Sequence, residues 1–263
     1  MKARLDPQLN IAPDNIQHIH IMGVCGTGMA AIAGMLKESG YTVTGSDQNV
    51  YPPMSDFLAQ AGIEVMQGYV PENLDTRPDL VIVGNVIQAV FPEAQRLAEL
   101  GIPYLSMPQA LGHFFLGGDS PKKALVVAGT HGKTTTSSLL ATALHRADCS
   151  PGFLIGGIVE AFGRNYQLGE GEYFVVEGDE YDTAFFNKIS KFLHYRPHYA
   201  ILTSVEFDHA DIFPDLEAIK DSFARFVALI PEDGALIACT DHPVVAELAA
   251  QCPGPVISYG TGK

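Results

Sequence analysis

Leu125-Val-Val-Ala-Gly-Thr-His-Gly-Lys-Thr-Thr-Thr136 decides how the rest of the chain is read. An apolar strand runs into a turn bounded by Gly129 and Gly132, and Lys133 and Thr134 open a helix. Glycines let the backbone approach an anion closely, and a helix N-terminus adds free N–H groups and partial positive charge. In such a loop residues 129–135 (Gly129, Thr130, His131, Gly132, Lys133, Thr134 and Thr135) cradle the ATP phosphates. Lys133 reaches the β- and γ-phosphates and the Thr134 hydroxyl ligates Mg²⁺. The general G-x-x-x-x-G-K-[ST] spacing is not met, because Val127 stands where its first glycine belongs. A packing turn with a chance lysine would satisfy the glycines alone, but the strand–loop–helix context favours phosphate binding and an α/β fold with a parallel sheet.

Acids gather downstream where apolar strands should end. Phe174-Val-Val-Glu-Gly-Asp-Glu-Tyr-Asp182 leaves a strand at Glu177, and Ile201-Leu-Thr-Ser-Val205 runs into Glu206-Phe-Asp-His-Ala-Asp211. Strand exits in parallel sheets are where ligands bind, and Mg²⁺ takes one or two carboxylates together with phosphate oxygens and water. Glu177 is the expected carboxylate. His209, beside two acids, is the expected histidine at the metal or substrate, although a lone histidine is more often a satisfied structural residue.

Upstream, Ile19-His-Ile-Met-Gly-Val-Cys-Gly-Thr-Gly-Met29 is a second strand–turn–helix junction, and Asp47 ends the next strand. The pattern is similar to a dinucleotide fingerprint, but its glycines read G-x-x-G-x-G rather than G-x-G-x-x-G. A tight turn that only packs helix on strand is the plain alternative. The backbone logic still suits a nucleotide or sugar-nucleotide diphosphate. His18 and His20 share a face of the first strand without a third ligand nearby, which suits a structural role.

Expected strands are residues 19–22, 42–44, 64–66, 80–83 and 103–105, with helices over 29–39 and 92–100; Gly117-Gly-Asp-Ser-Pro121 reads as a linker. A second series follows, with strands over 124–128, 173–177, 199–205, 235–239 and 256–258 and helices over 133–145, 216–229 and 244–251. The expected division is a Rossmann-like domain over residues 1–119 and an ATP-binding domain over 120–263.

With 263 residues, 47% of them apolar, the chain can bury two cores. Sixteen Lys and Arg against 30 Asp and Glu give a formal charge of −14, which argues against a nucleic-acid groove or an anionic membrane surface. Four dispersed cysteines without C-x-x-C suggest neither a zinc site nor a disulfide framework. No apolar run approaches a membrane span and nothing directs export, so a cytoplasmic protein with reduced thiols is expected. Oligomeric state is not indicated.

Together the motifs resemble the Mur ligase family over nearly the whole chain. Gly129 to Thr136 looks like the family's ATP loop, Glu177-Gly-Asp-Glu its E-x-D-E segment, and Glu206-Phe-Asp-His209 its E-x-D-H segment. Thr44 to Ser55, Pro151-Gly-Phe-Leu-Ile-Gly-Gly157, Tyr181 to Lys188 and His194-Tyr-Arg-Pro197 look like the branch that joins L-alanyl-γ-D-glutamyl-meso-diaminopimelate to UDP-N-acetylmuramate. The branch adding L-alanine is its nearest sibling. The resemblance implies that Gly23, Gly26, Thr27, Gly28, Met29, Ser46 and Asp47 bind the UDP sugar. It also implies that Lys133, Glu177 and His209 are catalytic, that Thr134 and Glu177 hold the Mg²⁺ of ATP, and that His209 holds a second cation. The implied reaction phosphorylates the muramate carboxylate, and the acyl phosphate is then attacked by the peptide amine.

Departures are also present. Cys25 replaces a loop glycine, Gln88-Ala-Val-Phe-Pro92 lacks the usual Arg and Asn, and Phe223-Ala-Arg225 stands where several members carry a carbamylated lysine. The last expected strand runs into Gly260-Thr-Gly-Lys263, so the P-loop-type second domain is expected to be incomplete, and the family's third domain, with its D-x-[FY]-x-H-H-P-T segment, is not among these residues. Nucleotide binding with little or no ligase turnover is the expectation, a non-catalytic nucleotide-binding module the competing one. An NAD-dependent oxidoreductase leaves the Lys133 loop unexplained, and a GTPase lacks N-K-x-D.

Overall fold

The computed structural model describes residues 2–117, 122–207 and 213–262. Two compact units emerge: Met1–Leu111 with Thr183–Lys188, and Gly112–Asp182 with Ile189–Lys263. The expected linker lies, from Gly118 on, outside the described residues.

The first unit runs β1 (His18–Met22), α1 (Thr27–Glu38), β2 (Thr42–Asp47), α2 (Met54–Gln60), β3 (Glu64–Gln67), β4 (Leu80–Val83), α3 (Pro92–Leu100) and β5 (Tyr104–Ser106). Helix α4 (Met107–Phe114) follows, and the division between the units falls within it. Its five strands are parallel in the order β3-β2-β1-β4-β5, the doubly wound arrangement whose order reverses beside the first strand. Leu80-Val-Ile-Val83 is wholly buried, as expected for a strand covered on both faces. Pro92 at the first helical position of α3 fixes φ without losing a needed donor.

The second unit begins with β6 (Lys123–Ala128), α5 (Lys133–Arg146), β7 (Gly152–Val159), β8 (Arg164–Gln167) and β9 (Tyr173–Gly178). The short strands β10 (Asp182–Ala184) and β11 (Asn187–Ser190) form a hairpin whose Phe185 and Phe186 belong with the first unit and pack on its core. Then come β12 (Tyr199–Leu202), α6 (Leu216–Val227), β13 (Ala235–Cys239), α7 (Pro243–Ala249) and β14 (Val256–Tyr259). The sheet order is β14-β13-β12-β6-β9-β7-β8, parallel except for β7 with β8. Strand β6 is central, so its exit at Ala128 is flanked by the exits of β12 and β9.

One expectation needs correction, and one strand pair lies where no element was expected. The segment 152–167 is a strand pair, hidden in the sequence by Gly152, Gly156 and Gly157. The strand expected over 199–205 stops at Leu202, because the residues after it bond sideways to the loop that follows β6.

Candidate functional site

The loop after β6 is held from one side. Thr203 N and Thr130 N donate to Ala128 O (3.1 Å) and Ser204 O (2.8 Å), and His131 N donates to Ser204 Oγ (3.1 Å). Thr203 Oγ1 donates to His131 O at 2.6 Å, and Glu206 N to Thr130 Oγ1 at 2.9 Å. Gly129 has φ +133°, and a Cβ there would stand 2.8–2.9 Å from the Ser204 backbone. Only glycine tolerates both the conformation and the approach. Thr203 and Ser204, to which the sequence reading gave no role, are thus the scaffold of the loop.

With Thr130 and His131 bonded inward, the remaining donors belong to the first turn of α5. Gly132, in the left-handed region, is its N-cap, and the first intrahelical bond runs from Thr136 N to Gly132 O. The N–H groups of Lys133, Thr134 and Thr135 therefore precede the helical ladder, the arrangement that receives phosphate. Lys133 Nζ curls over the loop, donating to Gly129 O (2.7 Å) and Thr130 O (3.2 Å) and pairing with Glu180 Oε2 at 3.1 Å. The buried Glu180 was quoted within its motif but given no role by the sequence reading; as the partner of the loop lysine it belongs to the site.

Glu177, near the end of β9, shares a face with Val175, which packs in the core beside Ala141 of α5. Gly156 N donates to Glu177 Oε1 at 3.2 Å, and a Cβ on Gly157 would meet Thr134 Cγ2 at 3.3 Å. The β7 glycines thus border both Glu177 and Thr134. Asp179 is engaged by Lys191 (2.8 Å) and Glu180 by Lys133, whereas Glu177 forms no ion pair among the described residues. Below it Tyr195 is fully buried, and burial, then Asp179 and Glu177, push its phenol far above the ordinary range. The oxygen donors Thr134 and Glu177 fit Mg²⁺. No cluster of three or more His, Cys, Asp or Glu that could hold a metal exists among the described residues. His209 lies outside the described residues. Lys220 pairs with Glu247 (2.9 Å) and then Glu217 (3.3 Å), which raise its pKa.

In the first unit the glycine loop is built the same way. Gly23 N and Val24 N donate to Ser46 O (2.8 and 3.1 Å), and Cys25 N donates to Asp47 Oδ2 (3.0 Å). Asp47 Oδ1 accepts from Asn49 N at 2.9 Å. Gly45 lets the loop settle, since a Cβ there would stand 2.6 Å from Val24 Cβ. The first bond of α1 runs from Ala30 N to Gly26 O, at 2.8 Å, so the amides of Thr27, Gly28 and Met29 lead the helix. The Met29 side chain is buried. Ser46 and Asp47 are also buried: the Ser46 hydroxyl donates to Glu93 Oε2 at 2.8 Å, and both oxygens of Asp47 are occupied by the loop and its neighbour.

The model of the Mur ligase family catalytic domain matches residues 18–117, and that of the Mur ligase middle domain matches residues 127–263. The chain is similar to UDP-N-acetylmuramate–L-alanyl-gamma-D-glutamyl-meso-2,6-diaminoheptandioate ligase of Escherichia coli, with 48% identity over 83% of this chain and 47% of the relative. Similarity to UDP-N-acetylmuramate–L-alanine ligase of Alkaliphilus metalliredigens is lower, 36% over 95% of this chain and 52% of the relative. A crystal structure of UDP-N-acetylmuramate:L-alanyl-gamma-D-glutamyl-meso-diaminopimelate ligase from Neisseria meningitides superposes with TM-score 0.87 and 42% identity, covering 93% of this chain and 78% of that one. The chain spans about half the length of the curated relatives it matches. No helix among the described residues is long and apolar enough to cross a membrane.

Proposed function

Because the chain belongs to the Mur ligase family, we propose that it is the nucleotide-handling part of an ATP-dependent ligase joining L-alanyl-γ-D-glutamyl-meso-diaminopimelate to UDP-N-acetylmuramate in the cytoplasm. The observation that carries this is the junction of β6 and α5, where the leading amides, Lys133, Thr134 and Glu177 converge. The tripeptide is favoured over L-alanine by the 48% against 36% identity of the two kinds of relative.

In this reading the amides of Lys133, Thr134 and Thr135 take the phosphates of ATP. Lys133 leaves Glu180 and the loop carbonyls to follow the γ-phosphoryl group toward the muramate carboxylate. Negative charge builds on phosphoryl oxygens during transfer, so a positioned ammonium and oriented amides supply electrostatic stabilisation without reorganisation. Mg²⁺, held by Thr134 and Glu177, supplies charge neutralisation when bound. His209 is proposed for a second cation. In the first unit, Thr27, Gly28 and Met29 offer their amides to the diphosphate of the UDP sugar, with Gly23 and Gly26 shaping the turn and Ser46 and Asp47 holding it.

Calorimetric titration with UDP-N-acetylmuramate tests the sugar-nucleotide part of this reading: one saturable site is expected, and no binding at millimolar ligand removes it. For the ligase of which this chain is proposed to be a part, the chain alone being expected to turn over little, acceptor choice is read from which amine supports ATP-dependent phosphate release in the presence of UDP-N-acetylmuramate. Release with L-alanine and none with the tripeptide moves the assignment to the sibling activity.

A further inference from the structure

Beneath the first glycine loop, and unused in the chemistry above, lies a buried polar chain. Glu93 is the second residue of α3 and, like His20 in β1, is 0% exposed. Its Oε1 lies 2.8 Å from His20 Nε2, and its Oε2 accepts from Ser46 Oγ at 2.8 Å. His20 Nδ1 is 2.9 Å from Thr44 Oγ1, which is also 2.9 Å from His18 Nε2. We propose that His20 and Glu93 are positioning residues for the sugar-nucleotide site, acting through Ser46 on the loop amides; this rests on the reading that the first unit binds a UDP sugar.

One assignment of the protons satisfies every contact. With Glu93 ionised and His20 carrying its proton on Nε2, His18 Nε2–H donates to Thr44, the Thr44 hydroxyl to His20 Nδ1, and His20 Nε2–H and the Ser46 hydroxyl to the two oxygens of Glu93. Every donor in the chain is used, and the positive end of α3 lies at the same carboxylate. A buried carboxylate survives only with such compensation.

Packing alone does not require it. Apolar residues of similar volume often replace buried charged pairs at no loss of stability, and the neighbouring strand β4 is apolar throughout. What the pair adds is direction. The charge-assisted bond from Ser46 fixes its side chain, and the same residue's carbonyl accepts Gly23 N and Val24 N. Those two bonds set where α1 starts and so where the amides of Thr27, Gly28 and Met29 point.

The test compares Glu93→Gln, His20→Ala and His20→Gln with the parent chain. An amide at position 93 cannot accept from both His20 and Ser46 in their present orientations, whereas the side-chain amide introduced by His20→Gln retains an N–H near the position of His20 Nε2. In ligand-free protein, amide exchange of Gly23 and Val24 should accelerate by about tenfold or more in E93Q and H20A and recover in H20Q. Affinity for UDP-N-acetylmuramate should fall by about tenfold or more in the same two variants, with H20Q near the parent and the affinity for a magnesium–ATP analogue unchanged in all. Unchanged loop exchange and unchanged sugar-nucleotide affinity in both E93Q and H20A overturn the proposal, as does a parallel loss of ATP-analogue affinity, which signals general unfolding. If the parent chain binds no UDP sugar while the exchange changes appear, the functional reading fails and the positioning role stands.

Discussion

Cys25 lies among the glycine-loop residues, yet its thiol is poorly set up to react. Burial, and then the Asp47 carboxylate, push it up to about 11. At pH 8 about one thiol in a thousand is then ionised, and the thiolate is the nucleophile. Alkylation of Cys25, followed by peptide mass spectrometry, should rise about tenfold per pH unit through pH 10; a plateau by about pH 9 contradicts this environment. At the second loop, the Thr134 methyl lies against Gly157 of β7, and its hydroxyl is the proposed Mg²⁺ ligand. Thr134→Val keeps the shape and removes the oxygen. It is expected to weaken Mg²⁺-dependent binding of an ATP analogue by about tenfold, or 1.4 kcal/mol, while metal-free binding changes little. Equal loss with and without Mg²⁺ would place the hydroxyl elsewhere.

At the level of elements, both loops depend on what the next strand does. Gly129→Ala forces a Cβ toward the backbone of Ser204 in a conformation that costs alanine about 1 kcal/mol or more, so thermal stability and ATP-analogue affinity should fall together. A binding isotherm and melting curve matching the parent would show that the loop can move off Ser204. The start of β1 supplies a pH dependence. Asp79 Oδ2 accepts from Gln17 N and His18 N, both at 2.9 Å, and these bonds, His18 first, hold its carboxyl below the usual carboxylate range. A depressed folded value means that its stabilisation is present above the unfolded pKa and lost as pH falls through the folded one. Asp79→Asn should therefore melt below the parent at neutral pH, with the gap closing as pH falls below the usual carboxylate range; a gap constant with pH contradicts this.

Both glycine-loop junctions, the buried strand Leu80–Val83 and the helix Pro92–Leu100 were legible because each carries a local signal: glycines before a helix, a continuous apolar run, a proline at the first helical position. Strand β7 was not, since its glycines imitate a loop and their purpose, room beside Glu177 and Thr134, exists only once the sheet is formed. Glu180, Ser204 and Glu93 escaped for the same reason, and of His20 the structural role was legible but not its partner Glu93. Their partners are distant in sequence, and no spacing announces a hydrogen bond between residues 20 and 93.

On the scale of the whole molecule, the parallel sheet of the first unit and the mixed sheet of the second each present a glycine loop and a helix N-terminus at the exit of a central strand, and each loop is braced by the strand beside it. That repetition suits the proposed reaction, in which each unit takes one phosphorylated nucleotide. The central claim is that the junction of β6 and α5 binds magnesium–ATP through Lys133. Calorimetric titration of the parent chain and Lys133→Ala with a non-hydrolysable ATP analogue and Mg²⁺ tests it most directly. One site in the parent, weakened by about a hundredfold or more in the variant with UDP-N-acetylmuramate binding retained, is the expected result; no binding by the parent, or the same affinity in both, would contradict it.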